Sequence, residues 1–93
     1  MTYRLVLTED AENDIVDATL WYEAQHNGLG KEFLLCLEAA KNTILRSPNA
    51  FHFRHKKLKG ILVNRFPYLV LYKIIEHTIY LIAVFHTSRN PRD

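Results

Sequence analysis

Residues 58–86 read LKGILVNRFPYLVLYKIIEHTIYLIAVFH, and their rhythm decides the fold. Apolar and β-branched residues crowd here with a period of two, broken twice by turn formers. The pattern predicts strands over Gly60–Arg65, Leu69–Ile75 and Ile79–His86, with turns at Pro67-Tyr68 and Glu76-His77-Thr78. Both faces of the last two strands are apolar. Leu69 and Leu71 alternate with Val70, Tyr72 and Ile74; Ile79, Leu81, Ala83 and Phe85 alternate with Tyr80, Ile82 and Val84. Strands of this kind are covered on both faces, or present one face to a partner.

Upstream the period changes to that of helices. Ala11, Ile15, Ala18 and Tyr22 step by 4, 3 and 4, which predicts a helix from Glu9 to Gln25. Thr8 is its N-cap, and Glu9 and Asp10 place carboxylates at its positive end. Asn27-Gly28 stops it, because both residues tolerate the left-handed conformation. Phe33, Leu37, Ala40 and Ile44 repeat the spacing in a second helix, from Leu29 or Gly30 to Arg46. Ser47-Pro48 ends that helix, since the residue before proline is pushed out of the α region. The short connection predicts an antiparallel helical hairpin. Before the helices, Tyr3–Leu7 reads as a strand, and residues 49–57 as a basic, aromatic connection.

The order β-α-α-β-β-β predicts one α+β domain over residues 1–93, a helical hairpin laid on a mainly antiparallel four-stranded sheet. At 93 residues, such a chain buries roughly 60–70% of its unfolded surface, enough for a single two-layer core. A hydrophobic fraction of 48% and a charged fraction of 24% argue against disorder. No apolar run approaches a membrane span, and acidic residues from Glu9 onward oppose a secretory leader. The lone Cys36 excludes an internal disulfide and a cysteine-based zinc site, and points to a reducing cytoplasm. It reads as a buried thiol within an apolar helix.

The net charge of +2 hides a division. Residues 1–50 hold four basic and eight acidic side chains, a balance of −4. Residues 51–93 hold eight basic side chains against Glu76 and Asp93, a balance of +6. Such asymmetry suggests an anionic partner for the second part, though acidic helices beside basic strands produce it too.

Several fragments, taken in order, carry a resemblance: Trp21-Tyr22-Glu23, Gly28-Leu29-Gly30, Phe33, Arg65-Phe66-Pro67-Tyr68, Tyr72, then Ala83-Val84-Phe85-His86 with Arg89 and Pro91. Together they resemble the RelE/ParE superfamily of type II toxin–antitoxin toxins, in particular its ParE-like branch. The resemblance implies a small cytoplasmic toxin held inactive by a cognate antitoxin, whose extended helical or strand segment wraps the hairpin and sheet. Two activities are implied as alternatives: ParE-like poisoning of DNA gyrase, and RelE-like cleavage of mRNA on the ribosome. A third alternative is an inactive homologue that only binds its antitoxin. No cofactor or metal is expected.

Metal-free RNA cleavage needs a base for the 2′-hydroxyl, an acid for the leaving oxygen and cations for the charged phosphorane. His86, Arg65 and Arg89 are the candidates for those roles. An imidazole such as that of His86 can act as acid or base, and either arginine can bind phosphate bidentately. Each also has a structural reading: His86 as a strand-end cap of the core, Arg65 as an ion-pair partner of the first helix. The tail lacks the late tyrosine found in several RelE-like nucleases, which favours gyrase as the target.

The target or antitoxin surface is expected to use Trp21, Arg54, Lys56, Lys57, Lys59, Tyr68, Arg89 and Arg92. Trp21 and Tyr22 otherwise pack, and Phe66-Pro67-Tyr68 otherwise forms a turn and core anchor. The stretch from Phe51 to Lys59 interleaves basic and aromatic residues, as nucleic-acid contacts do; it equally suits a basic loop neutralised by an acidic antitoxin. His52 and His55 have a ligand-like spacing, but no cysteine or nearby carboxylate completes a metal site. Gly28-Leu29-Gly30 is turn chemistry, without the preceding strand of a phosphate loop.

Overall fold

The computed structural model describes residues 2–88. β1 (Arg4–Leu7) leads into α1 (Glu9–Gln25) and α2 (Leu29–Arg46). Then follow β2 (Phe53–His55), β3 (Leu58–Leu62), β4 (Tyr68–Ile75) and β5 (Thr78–His86). The strands form one sheet in the order β1-β5-β4-β3-β2; β1 runs parallel to β5 and every other pair is antiparallel.

The expected α+β architecture is present, with five strands in place of four. The additional strand is β2, inside the stretch read as a connection. Its three residues, Phe-Arg-His, are too short and too polar to show alternation. β3 also starts earlier and ends sooner than Gly60–Arg65, because residues 63–67 leave the ladder to form a loop. Tyr68 opens β4 instead of closing the turn.

Helix boundaries follow local chemistry. The Thr8 hydroxyl accepts from the Ala11 amide at 3.1 Å, and Glu9, Asp10 and Glu12 fill the first turn of α1. Between the helices, the Glu23 carboxylate accepts from the Gly28 amide at 3.0 Å and from the Gly30 amide at 3.0 Å. Those two bonds, Gly28 first, hold the Glu23 carboxyl below the ordinary carboxylate range. A Cβ on Gly30 would stand 2.8 Å from the Thr19 carbonyl oxygen, so only glycine lets α2 start this close to α1.

One face of the sheet carries the helices. Phe33, Ile44, Val70, Tyr72, Ile79 and Leu81 are fully enclosed there. The Tyr72 hydroxyl donates to the Pro48 carbonyl at 2.7 Å, which satisfies the one polar atom of a buried ring. Burial pushes its pKa up to about 12.

β5 departs from the simple alternation read in its sequence. Tyr72 faces Leu81 whereas Leu71 faces Ala83, so Ile82 is the extra residue of a β-bulge. The phase changes there: Ile79 and Leu81 point at the helices before it, Val84 and His86 after it. Side chains of the α1 start fasten this irregularity. The Thr8 hydroxyl donates to the Leu81 carbonyl at 3.0 Å, and the Val84 amide donates to the Asp14 carboxylate at 2.9 Å.

Candidate functional site

The covered face ends in an aromatic cluster. Tyr22 stacks on Phe33 at 5.5 Å between centroids, and Phe66 meets both rings edge-on at 4.9 and 5.3 Å. Tyr68 joins through Phe33 at 5.1 Å, and His86 packs edge-on against Tyr68 at 5.3 Å. Phe66-Pro67-Tyr68 is therefore a turn and core anchor, with Phe66 and Tyr68 both buried. Tyr68 has no side-chain surface to offer a partner.

Two of the nuclease candidates make local contacts. The Nδ1 of His86 accepts from the Ser88 amide at 3.0 Å, which leaves Nε2 as its remaining nitrogen. Arg65 lies in the 63–67 loop with a positive φ of 74° and bonds Glu32 at 2.7 Å. Its acid thus comes from the second helix, not the first, and the bond to Glu32 raises the pKa of the guanidinium further. Arg89 and Arg92 lie outside the described residues.

Two apolar surfaces remain open. On α1, Val16 and Leu20 are more than half exposed, as is Trp21 at 55%. Trp21 touches Tyr22 edge-on at 5.1 Å but does not pack into the core, contrary to the packing reading. Leu34 and Leu35 add exposed apolar surface on α2. Cys36 is half-buried beside Arg65, so it is not the enclosed thiol expected.

The second surface is the sheet face turned away from the helices. Leu62, Leu69 and Phe85 stand side by side across β3, β4 and β5, whereas Leu71 and Ala83 in the next register are buried on the same face. A cavity of about 340 Å³ lies on this face, lined by Asp10, His55, Lys56, Leu58, Leu71, Ile82, Ala83 and Phe85. The stem of Arg54 crosses Gly60 so closely that a Cβ there would meet its Cγ at 2.7 Å. His55 contributes a buried Nε2 that has no hydrogen-bond partner among the described residues. An enclosed polar atom without a partner costs stability, so Nε2 is a nitrogen that a hydrogen-bonding group entering the cavity can satisfy.

The remaining predicted cations, Arg54, Lys56, Lys57 and Lys59, lie on the β2–β3 hairpin at the sheet edge, and Lys73 was not among those predicted. Lys57, Lys59 and Lys73 line a cavity of about 200 Å³ with Asn49, Phe53, Tyr72 and Ile74. Lys56 and Arg54 sit on the other side of the same β2–β3 hairpin. His52 and His55 join no group of three metal-ligating side chains among the described residues.

With this geometry in view, similarity to known proteins decides the family. A family described as the ParE toxin of type II toxin–antitoxin system, parDE, matches residues 5–91. The chain belongs to the ParE toxins. It is 30% identical over 92 residues to Toxin ParE2 of Mycobacterium tuberculosis, in strains CDC 1551 / Oshkosh and ATCC 25618 / H37Rv. That alignment covers 98% of this chain and 88% of the relative. Its fold matches a chain of the chromosomal ParDE TA system from P. aeruginosa with a TM-score of 0.81 at 11% identity, over 94% of this chain and 98% of the other. The ParE assignment accounts for the paired helices on a mostly antiparallel sheet. Within this ParE toxin no helix among the described residues is long and apolar enough to cross a membrane.

Sequence reasoning missed His55 as a feature of the open face, because the strand that carries it was itself missed. It also left Leu62, Leu69 and Phe85 as ordinary strand residues. Their doubly apolar strands were the available signal.

Proposed function

We propose that this ParE toxin arrests growth by binding DNA gyrase, and that a cognate antitoxin silences it by covering the open sheet face and the outward side of the hairpin. The observation that carries this reading is the chemistry of the open face. The central strands turn Leu62, Leu69 and Phe85 outward there, and the polar groups of this face, Asp10, His55 and Lys56, stand around the cavity beside that apolar strip. Apolar side chains of this kind serve protein contact.

The rim supports an acidic antitoxin. Arg54, His55 and Lys56 border the apolar strip, so a segment carrying apolar side chains and a carboxylate meets matching groups at both places. His55 Nε2 gains a partner when such a segment docks. The exposed Val16, Leu20 and Trp21 suit a helical part of the same antitoxin. The chain is assigned to the cytoplasm with its target.

Purified toxin added to gyrase supercoiling and cleavage-complex assays tests the proposal, with a ribosome-bound mRNA cleavage assay run in parallel. The expected result is lost supercoiling with trapped DNA breaks and intact mRNA. Unchanged gyrase together with cut mRNA would replace this reading by the interferase one, and normal growth on expression of the chain alone would favour an inactive homologue.

A further inference from the structure

The cavity on the open face has two walls of opposite charge, and the reading above uses only one of them. Its floor is apolar, made by Leu58, Leu71, Ile82, Ala83 and Phe85 of β3, β4 and β5. His55 and Lys56 stand at its β2–β3 end, and Asp10 stands at the α1 end. The sheet order sets these ends apart. β1 stops at Leu7, opposite Leu81. Beyond that point the start of α1 takes over the edge of β5, where the Thr8 hydroxyl donates to the Leu81 and Ile82 carbonyls at 3.0 and 3.3 Å. β4 and β3 lie between that edge and β2, so three strand spacings, about 14 Å along the sheet, part the two walls.

Neither wall is neutralised within the chain. Among the described residues no ion pair reaches Asp10, Arg54 or Lys56, and His55 Nε2 has no hydrogen-bond partner. Charges about 14 Å apart exceed the Debye length of about 8 Å in physiological salt, so the walls do not satisfy each other. No single group reaches both. Lys56 also holds a positive φ of 53°, where glycine or asparagine would sit with less strain. A lysine there brings an ammonium to the cavity at a cost in backbone energy.

We infer that the antitoxin element covering this face crosses the strands in one orientation, with an acidic side chain over His55 and Lys56 and a basic side chain against Asp10. Apolar side chains between them rest on the floor. The inference builds on the assignment of the open face to the antitoxin, and adds the polarity of docking. A reversed element would meet like charge at both ends, and a uniformly acidic one would be repelled at Asp10.

Titration calorimetry of the full chain with the purified antitoxin encoded beside it tests the orientation. Lys56→Met keeps the aliphatic stem and removes the charge; Asp10→Asn removes the opposite charge. Each is expected to raise Kd roughly threefold to tenfold. Glu12→Gln is the control, because Glu12 is an exposed acid of the same helical turn that does not line the cavity. It should bind as the parent does or more tightly. The sign at Asp10 decides, since a partner that is simply acidic would bind Asp10→Asn more tightly than the parent. Equal or tighter binding by Asp10→Asn, unchanged binding by Lys56→Met, or an equal loss in Glu12→Gln overturns the orientation. Melting temperatures confirm that the variants fold. Leu62→Asp, measured alongside, separates the two levels. A loss there with a parent-like Asp10→Asn removes the orientation alone, whereas a parent-like Leu62→Asp removes the open-face assignment and the orientation with it.

Discussion

The two faces of the sheet are built from neighbouring residues of the same strands, yet they do opposite work. The face under the helices is sealed by interlocked rings: Phe33 touches Tyr22, Phe66 and Tyr68 and is fully buried. The other face is nearly as apolar in composition, but Leu62 is 50% exposed and a cavity opens beside His55. Burial on the first face is complete within the chain and supplies stability. On the second, Leu62, Leu69 and Phe85 keep apolar surface in solvent, and in the proposed reading that surface becomes a source of binding energy.

Variants that separate stability from binding sharpen this contrast. The largest effect is expected from Phe33→Ala, which empties the centre of the aromatic cluster. A loss of about 3–5 kcal/mol, and a melting temperature more than about 10 °C lower, should show in thermal unfolding followed by circular dichroism. A small shift would mean that the cluster is not the anchor of the covered face.

Next comes Asp14→Ala. It removes the acceptor of the Val84 amide and loosens the bulge that sets the phase of β5, at about 1–3 kcal/mol. Denaturant midpoints measure this. If Asp14→Ala unfolds at the parent's midpoint, the bulge is held by the strands alone.

The hairpin turn gives a smaller, pH-dependent effect. Glu23 is ionised more readily in the folded chain than in the unfolded one, because its carboxylate accepts from Gly28 and Gly30. Its folded pKa lies below the ordinary value of 4.5, so its contribution is complete above that pH and fades as the pH falls through the folded pKa. Glu23→Gln should therefore melt lower than the parent at pH 7, and the gap should narrow at pH 3. A gap that is equal at both pH values would remove the carboxylate from the account of the turn.

Legibility in the sequence followed the same division. Helices α1 and α2 announced themselves through 4-3-4 spacings, a Thr8 cap and the Ser47-Pro48 stop, because helix ends are dictated by residues in sequence contact. β2 was invisible, since a three-residue strand owes its existence to pairing with β3 and not to any pattern of its own. The bulge at Ile82 was invisible for a related reason: its fasteners, Thr8 and Asp14, lie about seventy positions away in the chain. For the candidate site, the doubly apolar strands predicted faces that are both covered or one of which meets a partner, and the structure leaves Leu62, on the face turned from the helices, half exposed. The pairing of Arg65 with Glu32 and the exposure of Trp21 depend on how the hairpin sits on the sheet, which no local spacing reports.

The smallest expected change in stability carries the largest consequence for function. Leu62→Asp places a carboxylate on the open face, at a residue already half in solvent, and should move the unfolding free energy by no more than about 1 kcal/mol. Its affinity for the cognate antitoxin, measured by titration calorimetry against the parent chain, tests the division of the two faces most directly. The account predicts a Kd at least roughly a hundredfold weaker with the melting temperature nearly unchanged. An unchanged Kd in a folded Leu62→Asp chain would contradict it.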